Sequence, residues 1–151
     1  MINKKKILKD IANIRGINKK IVFTNGCFDL LHKGHKDLIK TSNSYGDKLV
    51  IGLNSDESVK RLKGTDRPIQ NEFDRKNALL DTGYVEKVYI FNDDTPLDLI
   101  HIIKPDVLVK GGDYIPNDIV GYEEVVSLGG EIRIVPLTPG FSTTSIIEKM
   151  H

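Results

Sequence analysis

Four histidines occur in the 151-residue chain, and two of them, His32 and His35, stand three residues apart in "TNGCFDLLHKGH" (24–35). Side chains three apart on a helix or tight turn face one ligand together. Thr24, Asn25 and Gly26 permit a tight turn with exposed backbone N–H groups, and Gly34 permits close approach of a ligand. A helix starting nearby would add its favourable N-terminal field for anions. These parts suit a polyphosphate. Three other chemistries are open to the same residues. Asp29, His32 and His35 form a "DxxHxxH" set adequate in number for a metal. Cys27 could pair with one histidine as a nucleophile, although its "GCF" context reads as a small packing residue. The two histidines could also simply cap a helix.

Those residues need a scaffold, and the pattern around them supplies one. "KIVFT" (20–24), "DKLVIGLN" (47–54), "KVYIF" (87–91), "DVLVKGG" (106–112) and "EIRIVPL" (131–137) read as five strands, mostly apolar throughout. Such strands are usually covered on both faces, as in a parallel sheet. Between them lie helical patterns at 36–46, 56–63, 72–83, 96–104, 117–130 and 142–150. Ile7, Leu8, Ile11 and Ile14 mark an N-terminal amphipathic helix closed by Gly16. The expected fold is a single doubly wound α/β domain over 1–151: an N-terminal helix in 1–19 and a core in 20–150. Its ligands belong beyond the carboxyl ends of the strands, where strand order reverses. "TNGCFD" leaves the first strand at that edge, and Lys110-Gly111-Gly112-Asp113 leaves the fourth.

Hydrophobic residues make up 39% and charged residues 28%, with a formal net charge of +1, which gives no bulk-charge case for nucleic acid or membrane binding. Cys27 is the only cysteine, so an intrachain disulfide is excluded and a reducing, cytoplasmic setting is expected. The basic N-terminus lacks the apolar core of a signal peptide, and no stretch reaches transmembrane length.

The stretch "TNGCFD" followed by His32-Lys33-Gly34-His35 resembles the signature of the HxGH nucleotidyltransferases, which include cytidylyltransferases and adenylyltransferases. "NSDESVKRLKGTDRP" (54–68), "DTPLDLIHIIKPDVLVKGGDY" (94–114) and "GFSTTSII" (140–147) resemble the adenylyltransferase domain of ADP-heptose synthesis. The resemblance covers roughly 20–149. It implies a Rossmann-like five-stranded sheet with helices on both faces. It also implies ATP and a sugar 1-phosphate, D-glycero-D-manno-heptose 1-phosphate, as substrates, with Mg²⁺ accompanying ATP. The absence of a sugar kinase in the sequence resembles the stand-alone form of this domain, and relatives suggest a homodimer. By the same resemblance His32, His35 and Lys63 are the catalytic candidates. Thr24, Asn25, Gly26, Cys27, Phe28, Asp29 and Gly34 would form the nucleotide pocket, and Lys63 and Arg75 are the preferred phosphate ligands within the cluster Lys60, Arg61, Lys63, Arg67 and Arg75. Lys110, Gly111, Gly112 and Asp113 would meet the nucleotide, Asp113 through the ribose. Ser142, Thr143 and Thr144 would bind triphosphate at a helix N-terminus that Ser142 also caps.

Glycerol-3-phosphate cytidylyltransferases, the related alternative, carry an arginine where this chain has Leu137 in "LTPGFSTT", and they lack the "KGGDY" form. A regulatory nucleotide-binding module without turnover is the alternative from another class. An intact HxGH and a basic cluster are more than such a module requires.

Overall fold

The pleat of a strand sends successive side chains to opposite faces, both apolar here, and helices close over both. In the computed structural model, which describes residues 2–137, the strands are β1 (Ile21–Gly26), β2 (Lys48–Asn54), β3 (Lys87–Phe91), β4 (Val107–Gly111) and β5 (Glu131–Val135). The helices are α1 (Lys4–Arg15), α2 (Lys33–Asn43), α3 (Asp56–Lys63), α4 (Glu72–Asp81), α5 (Leu97–Ile103) and α6 (Tyr122–Ser127). All strand pairs are parallel, in the order β3-β2-β1-β4-β5. The chain winds outward from β1 to β3, then crosses to the other side of β1 for β4. The order therefore reverses between β1 and β4, and their carboxyl ends open a crevice there.

Ile21, Phe23, Val50 and Leu108 face one side, where they pack with Leu99, Ile100 and Ile103 of α5 and Val125 of α6. Val22, Leu49, Ile51, Leu53, Val107 and Val109 face the other, against Ile39 of α2 and Leu79 of α4. The five-stranded doubly wound expectation holds. Helix α1 is part of this core rather than an appendage, because Ile7 and Ile11 are 2% and 6% exposed within the first cluster. Arg15 Nη1 donates to Asp106 Oδ2 at 2.6 Å, and the same oxygen accepts Ile21 N–H at 2.9 Å. One carboxylate thus ties the end of α1 to the start of β1.

Two helices depart from the sequence expectation. The pattern over 117–130 resolves into a 3-10 turn at Pro116–Asp118 and the short α6. Gly121 breaks it, with φ +91 at a point where a Cβ would lie 2.7 Å from Ile100. The helix expected from Lys36 begins at Lys33, so the HxGH residues cap and open it. The helix expected at 142–150 lies outside the described residues. Among the described residues no helix is long and apolar enough to cross a membrane.

Candidate active site

The turn from β1 to α2 is closed by histidine side chains acting on backbone. His32 is the N-cap of α2: its Nδ1 accepts His35 N–H at 3.3 Å, while His35 Nδ1 accepts His32 N–H at 3.4 Å. This is a capping box with imidazoles where Ser and Glu usually stand. The helix-capping alternative is realised, and it leaves the chemistry intact. A ring whose Nδ1 accepts must, when neutral, carry its proton on Nε2. The hydrogen-bond pattern therefore assigns both rings the Nε2–H tautomer. The rings stack with centroids 3.7 Å apart and 20° between planes, and Phe28 meets His35 edge-on at 5.3 Å. Burial, then the neighbouring His32, pulls the His35 pKa down to about 4. Burial also lowers that of His32. At neutral pH both are uncharged hydrogen-bond donors.

This shift has a consequence for stability. Unfolded His35 takes up a proton near its ordinary value of about 6.5, whereas the folded residue resists until about 4. Its contribution is therefore present above pH ~6.5 and declines as pH falls through that window. Between about pH 7 and about pH 4.5 the wild type should lose about 2 kcal/mol more than His35→Gln, which keeps a capping side chain. Urea midpoints at the two pH values read this directly. Equal losses in the two proteins would show that His35 is not held neutral.

His35 lines a cleft of about 470 Å³ at the carboxyl edge of the sheet. Asn25, Gly26, Cys27 and Phe28 line it from the β1 turn, Lys63 from the last turn of α3, Arg67 from the loop after it, and Lys110 from the end of β4. His32 is not part of the lining but supports His35 through the stack. Lys110 is partly buried, which lowers its pKa, and its Nζ sits 5.2 Å from the centre of the Tyr114 ring. Gly112 turns the chain with φ +119 and donates its N–H to Val135 O at 2.9 Å; a Cβ there would meet the Tyr114 ring at 3.2 Å. Gly34 sits in the first turn of α2, between the two histidines.

Other expected residues are placed away from the lining. Thr24 is buried, and its hydroxyl donates to Val109 O at 2.9 Å, pinning β1 to β4 beneath the cleft. The Asp113 side chain is exposed and outside the lining. Cys27 lines the cleft, but burial raises its thiol pKa, the opposite of what a nucleophile needs. Ser142, Thr143 and Thr144 lie outside the described residues.

Arg75 requires a correction. Expected as a phosphate ligand, it is wholly buried and its N–H groups are taken by protein acceptors. Nε donates to Gln70 O, Nη1 to Cys27 O (2.9 Å) and Asn54 O (2.7 Å), and Nη2 to Asp56 Oδ1 (2.8 Å). It joins the ends of β1 and β2 to the loop before α4. Phosphate has no route to a guanidinium so placed. The reason is tertiary: α4 packs Arg75 inward, and carbonyls beyond β1, at the end of β2 and in the loop before α4 converge on it.

Asp29, only 1% exposed, accepts Ile69 N–H at 2.7 Å and Gln70 N–H at 3.0 Å. Together Asp29 and Arg75 hold a turn in which Phe28 and Leu30 adopt φ of +47 and +52, values that L-residues rarely take. Sequence reasoning missed Asn54, Thr95 and Tyr114 in the lining. Asn54 ends β2, and Thr95 follows β3, so position beyond parallel strand ends was the available signal. Among the described residues no group of three His, Cys, Asp or Glu could hold a metal ion. The "DxxHxxH" alternative fails because both histidine Nδ1 atoms cap α2 and the Asp29 oxygens hold the 69–70 backbone.

Comparison with known proteins agrees with this geometry. The cytidylyltransferase-like family model matches residues 23–149. The Bifunctional protein HldE of Koribacter versatilis is 49% identical over 151 residues, covering the whole of this chain and 31% of its own length. The Bifunctional protein HldE of Geotalea uraniireducens is 53% identical over 133 residues, 88% of this chain and 27% of its own. The chain thus spans under a third of the length of these relatives. A crystal structure of the lipopolysaccharide core biosynthesis protein from Thermoplasma volcanium superposes with a TM-score of 0.65 at 25% identity, over 80% of this chain and 98% of that one.

Proposed function

Since this chain belongs to the cytidylyltransferase-like family, we propose that it is a nucleotidyltransferase joining ATP to a sugar 1-phosphate, D-glycero-D-manno-heptose 1-phosphate, to give ADP-heptose and pyrophosphate. A phosphate oxygen of the sugar attacks the α-phosphorus of ATP, a new P–O bond forms, and the bond to the β-phosphate breaks. The single observation carrying the reading is the capping box of His32 and His35. It commits both Nδ1 atoms to backbone and so puts the donor proton of the cleft-lining ring on Nε2. Such donors, aimed before the reaction begins, stabilise charge growing on phosphoryl oxygens without reorganising. Lys63 and Lys110 add positive charge around the same space, and the reaction needs positioning and charge stabilisation more than covalent help.

Mg²⁺ enters with ATP as the substrate complex, where phosphates and water supply most of its ligands. The described lining offers Lys63, Arg67 and Lys110 for the phosphates and only the two carboxylates Asp94 and Asp118. The product is an activated heptose for lipopolysaccharide or a related surface glycan. A cytoplasmic homodimer belongs to the same reading.

Release of pyrophosphate, measured with ATP and CTP against heptose 1-phosphate and glycerol 3-phosphate, tests it. Turnover with ATP and the heptose phosphate alone is expected. Turnover with CTP and glycerol phosphate would assign the cytidylyltransferase instead. ATP binding without any turnover would favour a regulatory module.

A further inference from the structure

We infer that Arg67 is the guanidinium that grips substrate phosphate in this cleft, and that Asp29 is the residue that positions it. The inference rests on the nucleotidyltransferase reading for its ligand class, but not for its geometry. Arg67 and Arg75 make a sharp contrast. Arg75 has every nitrogen of its guanidinium committed to protein acceptors. Arg67 lines the cleft with an 11% exposed side chain, yet its Nε–H is buried with no hydrogen-bond partner among the described residues. Its nearest acidic contact is Asp29 Oδ2, 3.5 Å from Nε. Both Asp29 oxygens already accept short backbone bonds from Ile69 and Gln70. Asp29 therefore balances the charge of Arg67 without saturating its donors.

A guanidinium fork whose Nε–H is buried without an acceptor is costly in a resting protein unless a ligand completes it. Two oxygens of one phosphoryl group match that fork. His35 and Lys63 line the same cleft, so an anion held by Arg67 lies within their reach. The positioning is double. Asp29 pulls on the Arg67 head directly, and it fixes the backbone two and three residues further on. Leu30 N–H, donating to Gln70 Oε1 at 3.1 Å, fastens the same two loops again. The turn carrying the histidines and the loop carrying Arg67 are thereby set in one register.

Pyrophosphate, the product of the proposed reaction, is the probe, with binding to the full chain measured by calorimetry. Arg67→Met should weaken binding about tenfold or more, and Arg67→Lys should recover only part of it. Lys60→Met, the same charge change on an exposed residue outside the lining, should bind as the wild type does. Asp29→Asn should weaken binding severalfold, and should add almost nothing once Arg67 is already Met. A purely structural Asp29 would lower affinity equally on both backgrounds, and that result would overturn the positioning role. If Asp29→Asn does not fold, the wild type still decides. On titration with pyrophosphate the Arg67 Nε–H NMR resonance should shift while that of Arg75 stays in place. An unmoved Arg67 resonance, unchanged binding by Arg67→Met, or a wild type that ignores pyrophosphate each sinks the inference. Failure of the sugar-phosphate reading shows elsewhere, as absent turnover with pyrophosphate binding intact.

Discussion

His35→Gln is expected to lower kcat by about 10²–10³-fold while leaving the melting temperature nearly unchanged. The pairing of these results is what matters. Gln is a favoured third residue of a capping box, so the backbone N–H of His32 keeps a partner. What disappears is the rigid imidazole that lines the cleft and that the proposed function uses as a donor to phosphate. His32→Asn makes the complementary test, since Asn is among the best N-caps and replaces the acceptor for His35 N–H. It too should keep the fold and lose rate, by a smaller factor, because His32 stacks on His35 and does not itself line the cleft. Single-turnover pyrophosphate release alongside thermal melts separates the outcomes. A full-speed His35→Gln enzyme would reduce the histidine pair to a helix cap.

Arg75→Met should cost about 3–5 kcal/mol of stability, a drop of about 10 °C or more in melting temperature for a chain this size. The substitution leaves the Asp56 carboxylate and the carbonyls of Cys27, Asn54 and Gln70 without the donors that now satisfy them. Arg75→Lys should recover little, since one ammonium cannot span acceptors spread over two strand ends and a loop. Denaturant unfolding measures the loss. A change below about 1 kcal/mol would mean that water replaces the guanidinium freely and that the site is not sealed.

The two arginines show where sequence reading reaches its limit. Lys60, Arg61, Lys63, Arg67 and Arg75 look alike along the chain, a run of cations after the second strand. Their fates differ because three-dimensional surroundings differ. Arg61 pairs with Asp94 at 3.1 Å on the exterior, Arg75 is sealed among carbonyls, and Lys63 and Arg67 reach the cleft. Charge is a property of the residue type. Whether that charge meets solvent, protein or ligand depends on which way a helix turns and which loop packs over it.

Other features were legible because they rest on local physics. The apolar runs of β1, β2 and β4 required cover on two faces, which implied parallel strands joined by helices. Placement of "TNGCFD" and "KGG" at strand ends followed from the same alternation, and the two do flank the switch point between β1 and β4. The histidine spacing led to the expectation of one ligand facing both rings, whereas only His35 lines the cleft and both Nδ1 atoms serve the backbone, an outcome that depends on where α2 begins. Nor could the spacing show Asp29 reaching forward to residues 67–70, a contact forty positions away along the chain. Sequence by itself determined the layers and the sheet edge at which the cleft opens, because hydrophobic period and turn chemistry act over a few residues, and its motifs carried the resemblance to the family. Only the tertiary structure decided which cation is a strut and which is a hand, because burial and hydrogen-bond partners are set by segments that meet only when the sheet closes.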